Sequence, residues 1–241
     1  MALNVATLKT RSLTAVVFVA VMLVGLLWNF WSFLILLTIM HFGCWYEFVK
    51  LMKKIYGEKY LAYCLFGLVY ITLPVLMMIN LQQCTIVIFS NDVSAAPCFS
   101  IAYSESFRFT LFLLVIVIIW INDTMAYVVG SLIGKTSFSK ISPKKTWEGT
   151  AGGAILCVIV IGLLGYFIPV AKEIAAWHWV AIAAICAIFG TAGDLLESKI
   201  KRMADVKDSG TFMPGHGGFL DRFDSLLVAT PFVWLYVWLF V

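Results

Sequence analysis

Asp221 and Asp224 stand three residues apart in the stretch GHGGFLDRFDS (215–225), and a third acid, Asp194, follows Gly190 and Gly193 at the end of an apolar run. If the last helix starts near Leu220, the two carboxylates share one face of it. Asp194 then sits at the same boundary between apolar and polar sequence. Three carboxylates converging at one depth repel one another unless a counter-charge joins them. Carboxylates together with water and phosphate oxygens form the usual ligand set of Mg²⁺. A simpler reading leaves Asp221 as a helix cap and Asp224 as the partner of Arg222 or a lysine. Metal binding is favoured here because 11 of the 30 charged side chains of the chain (17 Lys and Arg, 13 Asp and Glu) fall between Asp194 and Asp224.

The bases around those acids suit phosphate. SPKKT (142–146) supplies Lys144 and Lys145, KIKR (199–202) supplies Lys201 and Arg202, and Lys207 and Arg222 follow. Lys acts on phosphate as a point charge and Arg as a two-pronged donor. Inside-facing topology charge accounts for Lys50, Lys53 and Lys54. It does not account for the second group, where Asp205, Asp208 and Asp221 alternate with the bases. PGHGG (214–218) permits positive φ and close backbone approach ahead of a helix, whose first N–H groups can hold an anion. His216 is placed there to donate to a phosphate or to act as an acid. Asp123, beside Asn122 inside an apolar run, is costly in lipid and is expected to line the same cleft. Glu47 and Glu58 flank basic residues and read as ordinary interfacial charges.

The elements that must position these residues are membrane helices. The 241 residues are 62% hydrophobic and 12% charged, with a mean hydropathy of +0.98. Such a chain is an all-α, polytopic integral membrane protein. Apolar runs at about 12–28, 30–49, 60–80, 108–134, 149–170, 176–194 and 225–241 predict about seven to eight spans. The first is read as a retained span and not as a removed leader. WNFW (28–31) reads as an aromatic turn at the interface. The run 108–134 is too long for one simple crossing: either one helix that emerges into water, or two pieces broken near Asn122. With the N-terminus in the cytoplasm, 15 of the 17 basic residues fall on cytoplasmic segments, and only Arg108 and Lys172 fall outside. The net charge of +4 then reflects topology and anionic membrane lipids, not nucleic acid. Segments 135–148 and 195–224 share the cytoplasmic side. Small residues at spacing four, Ala126, Gly130 and Gly134, then Gly149 and Gly153, mark close-packing helix faces. The chain is read as N-terminal membrane helices over 1–107 and a catalytic region over 108–241. Six cysteines show no Cys-x-x-Cys spacing, and Cys84 and Cys98 can pair only in an oxidising compartment.

The stretch GDLLESKIKRMADVKDSGTFMPGHGGFLDRFDS (193–225) resembles the signature of the phosphatidate cytidylyltransferases, or CDP-diacylglycerol synthases. Ser198, Lys201, Arg202, Lys207, Asp208, His216, Gly217, Gly218, Asp221, Arg222 and Asp224 fall at its fixed places. WINDTMAYVVGSLIGK and SPKKTWEG look like the same family, and the resemblance covers about 120–225. Met213 and Asn122 depart from the usual residues without touching the charges. The resemblance implies a multi-span helical fold, a homodimer, Mg²⁺ as cofactor, Asp194 and Asp221 as metal ligands, and Asp224 as essential beside them. Lys207, Asp208 and His216 join these three as expected catalytic residues. Asp123, Ser142, Lys144, Lys145, Thr146, Ser198, Lys201, Arg202 and Arg222 are the expected substrate-binding set, for CTP and phosphatidate.

A cleft at the inner boundary of a bacterial cell membrane would let a polar nucleotide from the cytoplasm meet a lipid headgroup. The attacking group would be an anionic phosphate oxygen, so the work falls to positioning and charge neutralisation. A CTP-dependent lipid kinase, such as a polyprenol kinase, is the competing enzyme reading. An ion transporter would need paired broken spans in two related halves, which are not evident.

Overall fold

The computed structural model describes residues 5–83, 105–212 and 217–241. Cys84, Cys98 and His216 lie outside them. Helix α1 (Val5–Leu27) turns at Trp28 and Asn29 into α2 (Phe30–Tyr56). The turn is a reciprocal capping box: Asn29 Oδ1 accepts from Ser32 N at 2.8 Å, and Ser32 Oγ accepts from Asn29 N at 3.1 Å. WNFW is thus the turn expected, with Trp28 and Trp31 exposed.

Gly57, at φ 56°, ends α2 by donating its N–H to Lys53 O, a left-handed position that glycine fills without strain. A 3₁₀ turn (Gly57–Lys59) leads into α3 (Tyr60–Gly67), a π-helical turn (Leu68–Thr72) and α4 (Leu73–Gln83). Pro74 has no N–H for the carbonyl of Tyr70, and the helix widens there into the π turn. Helix α5 (Glu105–Ile133) is continuous through Asn122, which decides the sequence alternatives in favour of one long helix. After it come α6 (Trp147–Phe167), a 3₁₀ turn (Val170–Glu173), α7 (Ala176–Met203) and α8 (Leu220–Phe240). Among the described residues no β-strand forms. Every apolar run read from the sequence falls on helix, and among the described residues five helical stretches are long and apolar enough to cross a membrane. The chain is an integral membrane protein.

Packing forms two compact units, 1–75 with 194–224, and 76–193 with 225–241. The acidic segment 194–224 therefore folds with the N-terminal helices. In the second unit the small-residue faces do as expected. A Cβ on Gly153 would lie 2.5 Å from Ala126 N, and one on Gly149 2.7 Å from Gly130 Cα, so α5 and α6 touch backbone to backbone.

Candidate active site

One boundary differs from expectation, and it builds the site. Helix α7 does not end at Asp194; it runs on to Met203. The nine residues after Asp194 include Leu, Glu, Lys, Arg and Met, all strong helix formers, and the charges among them are compatible with helix beyond the apolar run. Asp194, Glu197, Ser198 and Lys201 consequently stand at i, i+3, i+4 and i+7 on one face. The helix closes with Asp205 at φ 50°, Val206 N donating to Lys201 O and Asp205 N to Arg202 O. That is a Schellman closure with Asp in the left-handed place, so Asp205 has a backbone role.

Opposite this face, the first two turns of α8 carry Asp221 and Asp224. Oxygens of Asp194, Glu197 and Asp224 lie within 4.8 Å of one another. Glu197 is 1% exposed and Asp224 8%, while Asp194 is half-buried and accepts from Ser198 Oγ at 3.2 Å. Lys201 Nζ forms ion pairs with Glu197 and with Asp221, the latter at 2.6 Å. Asp221 is tied further by Gly218 N at 2.7 Å and Ser209 N at 2.9 Å. Its carboxylate thus does cap the α8 entrance, while Asp194, Glu197 and Asp224 make the tightest carboxylate group among the described residues.

The most consequential correction concerns Glu47. It is not an interfacial charge: it is 3% exposed. Phe219 N and Leu220 N each donate to it at 2.9 Å, and Ser209 Oγ lies 2.6 Å from its Oε2. These are N–H groups that a helix start leaves without partners, so α2 caps α8 across the unit. Glycine is required at 210 and 218, because a Cβ at either would strike the Glu47 carboxylate. Gly217, at φ 82°, makes the left-handed step into the helix. Glu58, by contrast, is exposed as expected.

Glu197, Glu47 and Ser209 were not expected in the site. Glu197 was legible from its i+3 spacing to Asp194 once the helix is extended. Glu47 left one trace, an acid inside the run FGCWYEFV. Of the expected residues, Lys207, Asp208, Arg202 and Arg222 are exposed. Ser198 and Lys201 join the acids. Asp123, Ser142, Lys144, Lys145 and Thr146 belong to the second unit. There Asp123 is exposed on α5 and Lys144 is exposed. Thr146 Oγ1 caps α6 by accepting from Gly149 N at 3.1 Å. The loop holding them is ordered: Phe138 N donates to Lys145 O at 2.7 Å, and Glu148 accepts from Thr136 N at 3.1 Å.

The acid group fits a hard divalent cation. Buried Oε1 of Glu197 has no hydrogen-bond partner among the described residues, and a carboxylate oxygen so placed needs a donor or a cation.

The chain is 45% identical over 129 residues to the phosphatidate cytidylyltransferase of Staphylococcus saprophyticus, covering 53% of this chain and 48% of that one. It is 42% identical over 125 residues to that of Bacillus subtilis (strain 168), covering 52% and 46%. The matches thus span about half the length of these curated relatives. Residues 81–240 match the cytidylyltransferase family, and the chain belongs to it.

Proposed function

We propose that the chain transfers the cytidylyl group of CTP to phosphatidate. A phosphate oxygen of phosphatidate would attack the α-phosphorus of CTP. The bond from that phosphorus to the oxygen bridging to the β-phosphate would break, giving CDP-diacylglycerol and pyrophosphate. The convergence of Asp194, Glu197 and Asp224 beside Lys201 carries the reading. The likeness to relatives bearing that activity supports it.

Both reactants are polyanions, so charge neutralisation and positioning dominate the barrier. Asp194, Glu197 and Asp224 would hold Mg²⁺, which supplies Lewis-acid polarisation of a phosphoryl oxygen when bound. Asp221, held by Lys201, Ser209 and Gly218, fixes the first turn of α8 and the direction of Asp224. Ser198 orients Asp194. The exposed Lys207, Arg202 and Arg222, with Lys144 and Lys145 from the ordered loop, would receive phosphates. Asp208, His216, Asp123, Ser142 and Thr146 stay in the proposed site as groups that contact or orient substrate. A homodimer in a bacterial cell membrane, its site toward the cytoplasm, belongs to the same reading.

The test is purified protein with CTP labelled at the α-phosphate and phosphatidate, with and without Mg²⁺. Labelled CDP-lipid and unlabelled pyrophosphate are expected. Label left in CDP alongside a newly phosphorylated lipid alcohol, supplied in parallel, would move the reading to a lipid kinase.

A further inference from the structure

In the first unit, α1, α2 and the entrance of α8 enclose an apolar cavity of about 390 Å³, within the range that takes a small ligand or an alkyl chain. Thr14, Phe18 and Met22 line it from α1, and Leu36 and Met40 from α2. Phe212, Phe219 and Phe223 line it from the start of α8 and the segment that leads into it. Phe212 and Phe219 lie 4.3 Å apart, centroid to centroid, and Phe18 and Phe223 6.2 Å. Phe219 takes its place because Gly43 leaves room for its ring.

The cavity and the candidate site share the start of α8. Phe219 and Phe223 alternate with Asp221 and Asp224 over two turns, and Phe219 N is one of the groups bound by Glu47. Arg222 is exposed on the same turns. From Thr14 to Met22 the cavity follows about 12 Å of helix, against about 15 Å for one leaflet of hydrocarbon. A slot of leaflet depth, apolar along its walls and lined by Phe219 and Phe223 from the stretch that also carries Asp221, Arg222 and Asp224, suits the tail of an anionic lipid whose head lies at those charges.

We infer that this cavity binds one acyl chain of the acceptor lipid and sets the register of its phosphate against the carboxylate group. The inference rests on phosphatidate being the acceptor. Lipid tails are as apolar as the cavity walls, so moving a chain from bilayer to cavity gains little hydrophobic free energy. The cavity selects by length and shape. Its effect falls on which chain is used and how the headgroup is aimed, and less on overall affinity.

The experiment uses the full chain in detergent–lipid micelles and a palmitoyl phosphatidate bearing a diazirine near the chain terminus. Photolabelling is expected on the cavity-lining segments of α1 and α2, competed by unlabelled phosphatidate and not by phosphatidylcholine. Equal competition by phosphatidylcholine would show a groove wetted by bulk lipid and overturn the inference, as would labelling elsewhere. In parallel, Val17→Trp and Val21→Trp fill the slot from α1. The turnover ratio of dipalmitoyl to dioctanoyl phosphatidate should fall roughly tenfold, the order of cost of overfilling a packed site. An unchanged ratio in active protein would overturn the inference. Absence of CDP-lipid from any phosphatidate with the unaltered protein would instead sink the proposed reaction, and leaves the photolabelling to decide the cavity on its own.

Discussion

Glu47 and Phe219 stand 172 residues apart in sequence, and the carboxylate of one accepts the backbone N–H of the other at 2.9 Å. The entrance of α8 is therefore capped from α2 as well as by its own Asp221. Hydrogen bonds to a buried charge contribute about 1.5–3 kcal/mol each, and unsatisfied buried donors cost about 1–3 kcal/mol. Glu47→Gln keeps the shape but turns an N–H toward one of its donors. The variant should lose about 2–4 kcal/mol of stability, seen as a lower unfolding midpoint in detergent. Turnover should fall with it, since Asp221 and Asp224 ride on that turn. A midpoint equal to that of the unaltered protein would show the cap to be dispensable.

Gly218→Ala tests the same contact from the other side. The added Cβ would meet both oxygens of Glu47, and the obstacle is a buried carboxylate engaged by three partners. Overfilling of this kind costs about 1–3 kcal/mol. Combined with Glu47→Ala, which opens space, the penalty should be smaller than the sum of the two single changes. Strict additivity in a double-mutant cycle would mean that the two residues do not press on each other.

Asp221 and Glu197 separate capping from metal binding. Glu197→Gln should weaken Mn²⁺ or Mg²⁺ binding at least roughly tenfold, since even groups one step removed from a metal cost 10–100-fold. Titration by Mn²⁺ electron paramagnetic resonance reads this without turnover. Asp221→Asn removes a partner of Lys201, Ser209 and Gly218. It should lower stability by about 2–3 kcal/mol and change Mn²⁺ affinity less than Glu197→Gln does. The opposite order would return Asp221 to the ligand set and remove Glu197 from it.

The helices were legible because a bilayer demands about 20 apolar residues per crossing and leaves little freedom in composition. The α5–α6 contact was legible because only small side chains let backbones touch, so Gly149 and Gly153 carry the record in their identity. The end of α7 was not. The first charge, at Asp194, marks the limit of the apolar span and not of the helix, which Glu197 through Arg202 continue. Glu47 was the hardest, since its partners are backbone N–H groups, which every residue but proline possesses. Nothing in the identity of Phe219 or Leu220 announces that its N–H is bonded to a side chain on α2.

Gly153→Val should test that contact in the second unit. The position faces Ala126 N and Ala126 Cα at 2.5 and 2.6 Å from a modest Cβ alone, and the obstacle is backbone that cannot swing aside. The α5–α6 pair should separate, at a cost of about 1–3 kcal/mol or more. Gly57→Ala makes a useful contrast: a Cβ there meets nothing, and only the backbone at φ 56° strains it, at about 1–3 kcal/mol. If Gly57→Ala proved worse than Gly153→Val, the close packing would not be the stronger constraint.

Lys144→Ala with Lys145→Ala addresses the basic loop. The loop's own backbone bonds, such as Phe138 N to Lys145 O, use no lysine side-chain nitrogen and should survive the change. Glu148 would still accept from Lys135 N and Thr136 N, holding the start of α6. The double variant should therefore keep the helix content of the unaltered protein, read by circular dichroism. Its KM for CTP should nevertheless rise roughly tenfold for each lost phosphate contact, charged hydrogen bonds contributing about 1.5–3 kcal/mol. A rise in KM for phosphatidate with CTP unaffected would assign the two lysines to the lipid phosphate, and no change in either would take the loop out of substrate binding.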